Sequence, residues 1–157
     1  MRRAKLYWTN IPFTTIAQKN THLINFLDDN VAEKYFLSQE KFQKLTWTDG
    51  KNTYIKNLPN KPMMIHEGDG IVLSRPWQVY MPVVIGKSHC IRAANPDDVG
   101  VVICRDGKMA ARKFTVSEME RLQTLPLGYT DCGLTEAQRK KMCWKWLDGR
   151  CNCPHFI

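Results

Sequence analysis

The spacing of apolar residues changes several times along this chain, and each change predicts an element. Leu6, Tyr7 and Trp8 stand together ahead of Asn10, Ile11 and Pro12, which reads as a short buried strand ending at Pro12. Between His22 and Leu45 the spacing widens to three and four. Leu23, Phe26 and Leu27 share one face, and Phe42 and Leu45 share another behind Ser38 as an N-cap, so two short helices are expected. From Trp47 to Lys108 the apolar residues bunch into the runs IVL at 71–73, MPVVI at 81–85 and VGVVI at 99–103. Asp49-Gly50, Pro59-Asn60, Gly68-Asp69-Gly70 and Asp106-Gly107 punctuate them as turns, and this middle reads as mostly β with long loops. Helical spacing returns in FTVSEMERLQTLP at 114–126. There Thr115 and Glu118 form a capping box, hydroxyl and carboxylate each satisfying a free N–H group, and Pro126 closes the helix. A last helix starts near Thr135, which caps it, and runs through EAQRKKM; no internal repeat or low-complexity stretch interrupts the order.

Composition narrows this to a folded object of ordinary size. The chain has 157 residues, of which 43% are apolar, enough for one domain with a modest core. No apolar run reaches the roughly 18 residues of a membrane span, and MRRAKLYWTN carries basic residues without the apolar stretch of a secretion signal. A cytoplasmic location and no membrane partner are therefore expected. Lys and Arg outnumber Asp and Glu 23 to 15, a net charge of +8 that favours a polyanionic partner.

Three groups of side chains are candidates for chemistry. Arg3, Lys5 and Tyr7 alternate on one side of the first strand and project together, either toward a ligand or as a solvated strand end. GKSHCIR, containing Lys87 and Arg92, reads as a phosphate-contacting strand or as an edge strand whose charges block aggregation. Glu118 and Arg121, three apart on a helix, have the spacing of a surface ion pair.

In order along the chain, these pieces resemble the C-terminal part of the DNA (cytosine-5)-methyltransferases. RRAKLYWTNIP at 2–12 resembles the eighth conserved block of that family, Q-x-R-x-R-x-Y continuing W-x-N-[IL]-P. RKFTVSEMERLQTLPLGYTD at 112–131 resembles the ninth, R-x-[LF]-T-x-x-E-x-x-R-L-Q-x-x-P-x-x-Y. DNVAEKYFLS and KSHCIRA are similar to the start and the closing strand of the variable region between them. The resemblance implies an α+β fold: a mostly β target-recognition domain, flanked by a strand and helices of a catalytic domain whose Rossmann-like sheet is largely missing. The implied division is an eighth-block strand at 1–12, the recognition domain at 13–110, the ninth-block helix and its successor at 111–142, and a tail at 143–157. Away from the missing sheet, Leu6, Trp8 and the ninth-block helix are expected to expose apolar surface.

The resemblance also assigns roles. Arg3 would face the DNA and the methylation pocket; Lys5 stands in place of the Arg that contacts the flipped cytosine, keeping its charge and losing the planar fork. Met1 occupies the usual Gln position. Lys87, Arg92 and Arg112 would contact DNA, Arg112 through its backbone phosphates. Tyr7, Thr115, Glu118, Arg121 and Pro126 would be structural, and base reading would fall to loops between Lys44 and Arg92. The family's S-adenosylmethionine turn, its Pro-Cys nucleophile and its Glu-Asn-Val acid have no counterpart in these residues. No catalytic residue, cofactor site or metal site is expected in this chain, with S-adenosylmethionine used by the complete enzyme. The expected partner is double-stranded DNA, with a second chain carrying the catalytic half as a further candidate. The chain then reads as the recognition portion of such an enzyme, as a subunit of a split one, or as a prophage remnant acting only as a DNA-binding module.

The segment MCWKWLDGRCNCPHFI holds two Trp and three of the six Cys, a style found nowhere earlier in the chain. The family's tenth block, G-N-[GAS]-[WV]-x-V-x-V-x-x-x-I, should stand here. Because Trp has a single codon, reading Trp144 and Trp146 one nucleotide later forces glycine twice, and allowed codons elsewhere yield VGNGWTVDVIAHIL. The tail is accordingly expected to be a frameshifted tenth block, dispensable for packing. The rival is a zinc knuckle of Cys143, Cys151, Cys153 and His155, whose C-x-C-x-H spacing is tight for tetrahedral closure.

Overall fold

The computed structural model describes residues 22–56, 62–74, 82–89 and 95–145. Among these the fold is mixed, with two small antiparallel sheets and three α-helices. The eighth-block strand at 1–12 and most of the tail lie outside the described residues.

A first pass of chain, with 3-10 turns at Leu23–Phe26 and Glu33–Tyr35, leads into α1 at Gln39–Leu45. Where a helix was expected at Leu23, i→i+3 bonds such as Leu27 N–H to the Ile24 carbonyl close a single tight turn instead. Only one side chain of that turn, Leu23, is fully buried, too little apolar surface to sustain a longer helix. Helix α1 meets expectation better: Phe42 and Leu45 are its buried residues. Ser38 is its N-cap by backbone, although its hydroxyl makes no capping bond.

Strands β1 at Thr46–Thr48, β2 at Thr53–Ile55 and β3 at Met63–Met64 form the smaller sheet in that order. Its outer row pairs Trp47 with Tyr54 and Tyr54 with Met64, the two rings stacked at 4.6 Å. The larger sheet runs β5-β4-β6-β7, from β4 at Gly70–Val72, β5 at Val83–Val84, β6 at Val99–Arg105 and β7 at Lys108–Lys113.

Strand β6 explains the core. Its VGVVI run alternates sides: Val99 and Val101 pack with Leu23, Phe114, Met119 and Cys143, while Val102 packs with Phe42, Ile55, Ile71 and Ala111. A continuous apolar run is what a strand covered on both faces requires. A β-carbon at Gly100 would stand 2.3 Å from the Arg112 carbonyl oxygen, so only glycine lets β7 lie this close. The Asp106-Gly107 turn joins the two strands with φ of 52° and 72°, the left-handed pair a two-residue hairpin favours.

After β7 come α2 at Val116–Leu122 and α3 at Glu136–Lys145. Strand β7 continues through the division expected at 110 and 111, and α3 through that at 142 and 143. Helix α2 is not an exposed apolar face awaiting a missing sheet: Val116, Glu118, Met119 and Glu120 are all buried within this chain. Cys143 is likewise 0% exposed in the core cluster, so the tail expected to be dispensable begins with a packed residue. No described helix is long and apolar enough to cross a membrane.

Candidate functional site

The ninth-block segment builds one connected polar network, and it starts from the N-terminus of α2. The four leading N–H groups of a helix need acceptors. Thr115 Oγ1 accepts from the Glu118 N–H at 3.1 Å and the Glu118 carboxylate accepts from the Thr115 N–H at 2.8 Å, completing the expected capping box. That carboxylate does more than cap. Arg112, reaching from β7, donates Nη1 and Nη2 to its two oxygens at 2.8 and 2.6 Å, and the Asp28 N–H donates to Oε1 at 2.7 Å. Glu118 is 0% exposed and Arg112 2%, so this is a bidentate pair in a dry setting, where each charge depends on the other.

The network corrects two expectations. Glu118 does not pair with Arg121 on the helix surface; its partner is Arg112, and Arg121 pairs with Asp28 from the distant N-terminal pass. Arg112, expected at DNA phosphates, has its guanidinium turned inward and occupied by Glu118 and the Lys113 carbonyl, leaving no surface for a phosphate. It belongs with the structural group.

Asp28 ties the early chain to α2. Its carboxylate accepts from Thr115, Ser117 and Arg121. Partial burial works against its charge, but these donors hold its pKa below the usual carboxylate range. Glu120 does the same on the far side of the helix, accepting from the Gly128 N–H at 2.7 Å, the Thr130 N–H at 2.8 Å and the Thr130 hydroxyl at 2.5 Å. Burial opposes its ionisation and these bonds, with Arg139, overcome it, so its pKa too is lowered. The bonds fix the loop holding Pro126, although the helix itself ends earlier, at Leu122, and Thr124 turns the chain with φ of 60°.

A second ion network links α3 to the rest. Asp97 accepts from Lys113 at 3.0 Å and Lys140 at 2.9 Å, while Glu136 takes Lys34 at 2.5 Å and the Tyr35 hydroxyl at 2.7 Å. Lys34 above all holds the Glu136 pKa down to about 2. Thr135 and Gln138 cap α3 reciprocally, in line with its expected start.

Of the remaining expected contacts, one lies among the described residues. Lys87 is exposed in the turn after β5, its carbonyl fixed to the Gly70 N–H at 3.1 Å. Arg3, Lys5, Tyr7 and Arg92 lie outside the described residues. Of the rival zinc ligands, Cys143 is packed in the core with its thiol pushed up to about 11 by burial and the nearby Glu120 charge. Cys151, Cys153 and His155 lie outside the described residues. Asp28, Asp97, Glu120 and Glu136 were missed from sequence. A charge inside a helical pattern is ordinarily read as its solvated face, and nothing local signals a partner ninety residues away.

Comparison with protein-family models, with characterised proteins and with solved structures finds no match to this chain.

Proposed function

We propose that this chain is the DNA-recognition portion of a DNA (cytosine-5)-methyltransferase, the complete enzyme transferring a methyl group from S-adenosylmethionine to cytosine C5. One observation carries the reading. Arg112, Thr115, Glu118 and Arg121, four of the six polar residues by which 112–131 resembles the ninth block, join one network that binds β7, α2 and the segment at Asp28 together. Residue types that a random match would leave scattered have interlocking roles here. In this reading the network is the base on which a small, mostly β recognition unit is held.

Cofactor binding is not part of the proposal for these residues. The described glycines sit in turns and strands, Gly68 and Gly70 leading into β4, and none forms a glycine-rich turn between a strand and a helix. Whether the chain serves an enzyme or acts as a DNA-binding module alone is separated by adding a catalytic partner, not by the chain itself.

Titration of the purified chain with a short labelled duplex tests the reading. Binding is expected at low salt and should weaken steeply as salt rises, because lysines and arginines that neutralise phosphates release counterions. Absence of binding at low salt, or binding indifferent to salt, overturns it. Labelled S-adenosylmethionine should give no methyl incorporation with the chain alone.

A further inference from the structure

Four of the described lysines are gathered in one place. A cleft of about 620 Å³ opens beside α1, and its walls carry Lys34, Lys41, Lys44 and Lys113 against a single carboxylate, Asp97. Leu45 and Leu73 belong to its apolar floor. A second cleft of about 420 Å³ shares Phe36, Leu37 and Ser38 with the first, yet Arg105 and Lys108 there face Glu33 and Asp106 in equal number. Arg105 is moreover held by Glu33 at 2.9 Å. The ridge at 36–38 therefore separates a balanced cleft from one lined by four lysines and one carboxylate.

Within the positive cleft the cations differ in availability. Lys113 is held by Asp97 and Lys34 by Glu136. Lys44 has only Glu40, in a pair whose side chains are 71% and 77% exposed, and such pairs hold their members weakly. Lys41 has no carboxylate partner among the described residues, and three positions before Lys44 it lies on the same side of the helix. The donors come from a turn, a helix and a strand, all as ammonium groups on long flexible stems. That is poor equipment for gripping one small anion, which calls for converging buried donors or a planar fork, and good equipment for a chain of phosphates whose position shifts with sequence.

We propose that this lysine cleft seats the phosphate backbone of duplex DNA, with Lys41 and Lys44 as its main contacts and the apolar floor against the sugars. The assignment rests on the DNA-recognition reading above and adds Lys41 and Lys44 of α1 to the DNA contacts expected from sequence. Contacts here fix position and carry no base preference.

The test is duplex binding by the full chain over a range of salt. A Lys41→Ala/Lys44→Ala variant is compared with Lys51→Ala/Lys108→Ala, which removes the same charge from the β1–β2 turn and the balanced cleft. All four side chains are exposed, so circular dichroism and melting should match the unmodified chain. The cleft variant should bind about tenfold more weakly at low salt and lower the slope of log K against log salt by about two, since each lost phosphate contact removes about 0.9. The control should change affinity less than about threefold, as expected for distant charge alone. Equal weakening of both variants overturns the cleft while leaving DNA recognition standing. No duplex binding by the unmodified chain overturns both.

Discussion

Helices α1 and α2 are each seven residues long and rich in charge, and they use that charge in opposite ways. In QEKFQKL only Phe42 and Leu45 are buried, and Lys41 and Lys44 stand in solvent over an open cleft. In VSEMERL both glutamates are buried, and every lone pair that matters is matched by an arginine, a backbone N–H or a hydroxyl. The N-caps follow suit: Ser38 makes no side-chain capping bond, whereas Thr115 sits in a complete capping box. A matched, dry charge fixes the fold and is spent there; an unmatched, wet one keeps its field for a partner. Substitutions on the two helices should therefore separate stability from binding.

The largest effect belongs to Glu118. Glu118→Ala strands the Arg112 guanidinium and the N–H groups of Thr115 and Asp28, and should cost about 3–5 kcal/mol by denaturant titration. Replacing both partners, Arg112→Met with Glu118→Leu, should recover only part of this, because the two backbone donors remain unsatisfied. A cost below about 1 kcal/mol for the single change would mean that the pair is not dry and would remove the contrast between the helices.

Next comes the end of α3. Truncation after Met142 deletes Cys143 from the core cluster and should cost about 2 kcal/mol, whereas truncation after Lys145 should leave the melting curve nearly unchanged if the remainder is a shifted tenth block. Equal curves for the two truncations would show that Cys143 packing contributes nothing.

What was readable from sequence follows the same division. The VGVVI strand, the Asp106-Gly107 hairpin, the Thr115–Glu118 box and the inner face of α1 were all legible, because each depends on residues within one or two turns of chain. Burial of Glu118 and Glu120 was not. They stand two apart, on different sides of α2, so neither an apolar stripe nor a polar face predicts both inside. The partner of Arg121 was misread for a related reason: Glu118, three residues before it, is taken up by Arg112, and Asp28 arrives only through tertiary packing. Local rules find elements and caps, while long-range ion pairs need the fold.

A smaller effect is expected with pH. The folded pKa values of Asp28, Asp97, Glu120 and Glu136 all lie below their ordinary values. Such groups stabilise the fold above the unfolded carboxylate range of roughly 4 and lose that contribution as pH falls through the folded values, down to about 2 for Glu136. Stability should hold from neutral pH to about 5 and decline steadily below about 4. Glu120→Gln should be less stable at neutral pH and show a shallower acid decline. An unchanged acid slope in that variant would place the titrating groups elsewhere and separate pH sensitivity from the α2 network.

The smallest effect on stability should come from α1, where the comparison is sharpest. Glu40 and Lys44 form an exposed i,i+4 pair at 2.7 Å, with the acid toward the N-terminus as the helix dipole favours. Glu40→Gln should cost no more than about 0.5 kcal/mol, since such pairs exchange easily with water. In DNA binding its effect should have the opposite sign. Removing a negative charge from beside the cleft releases Lys44 and should raise duplex affinity about twofold to threefold at low salt, the gain fading as salt screens the field. The glutamate of α2 and that of α1 would then differ in kind, Glu118 supporting the fold and Glu40 restraining a ligand contact. If Glu40→Gln leaves affinity unchanged while Lys44→Ala lowers it, the exposed pair does not restrain Lys44, and Glu40 plays no part in the ligand contact.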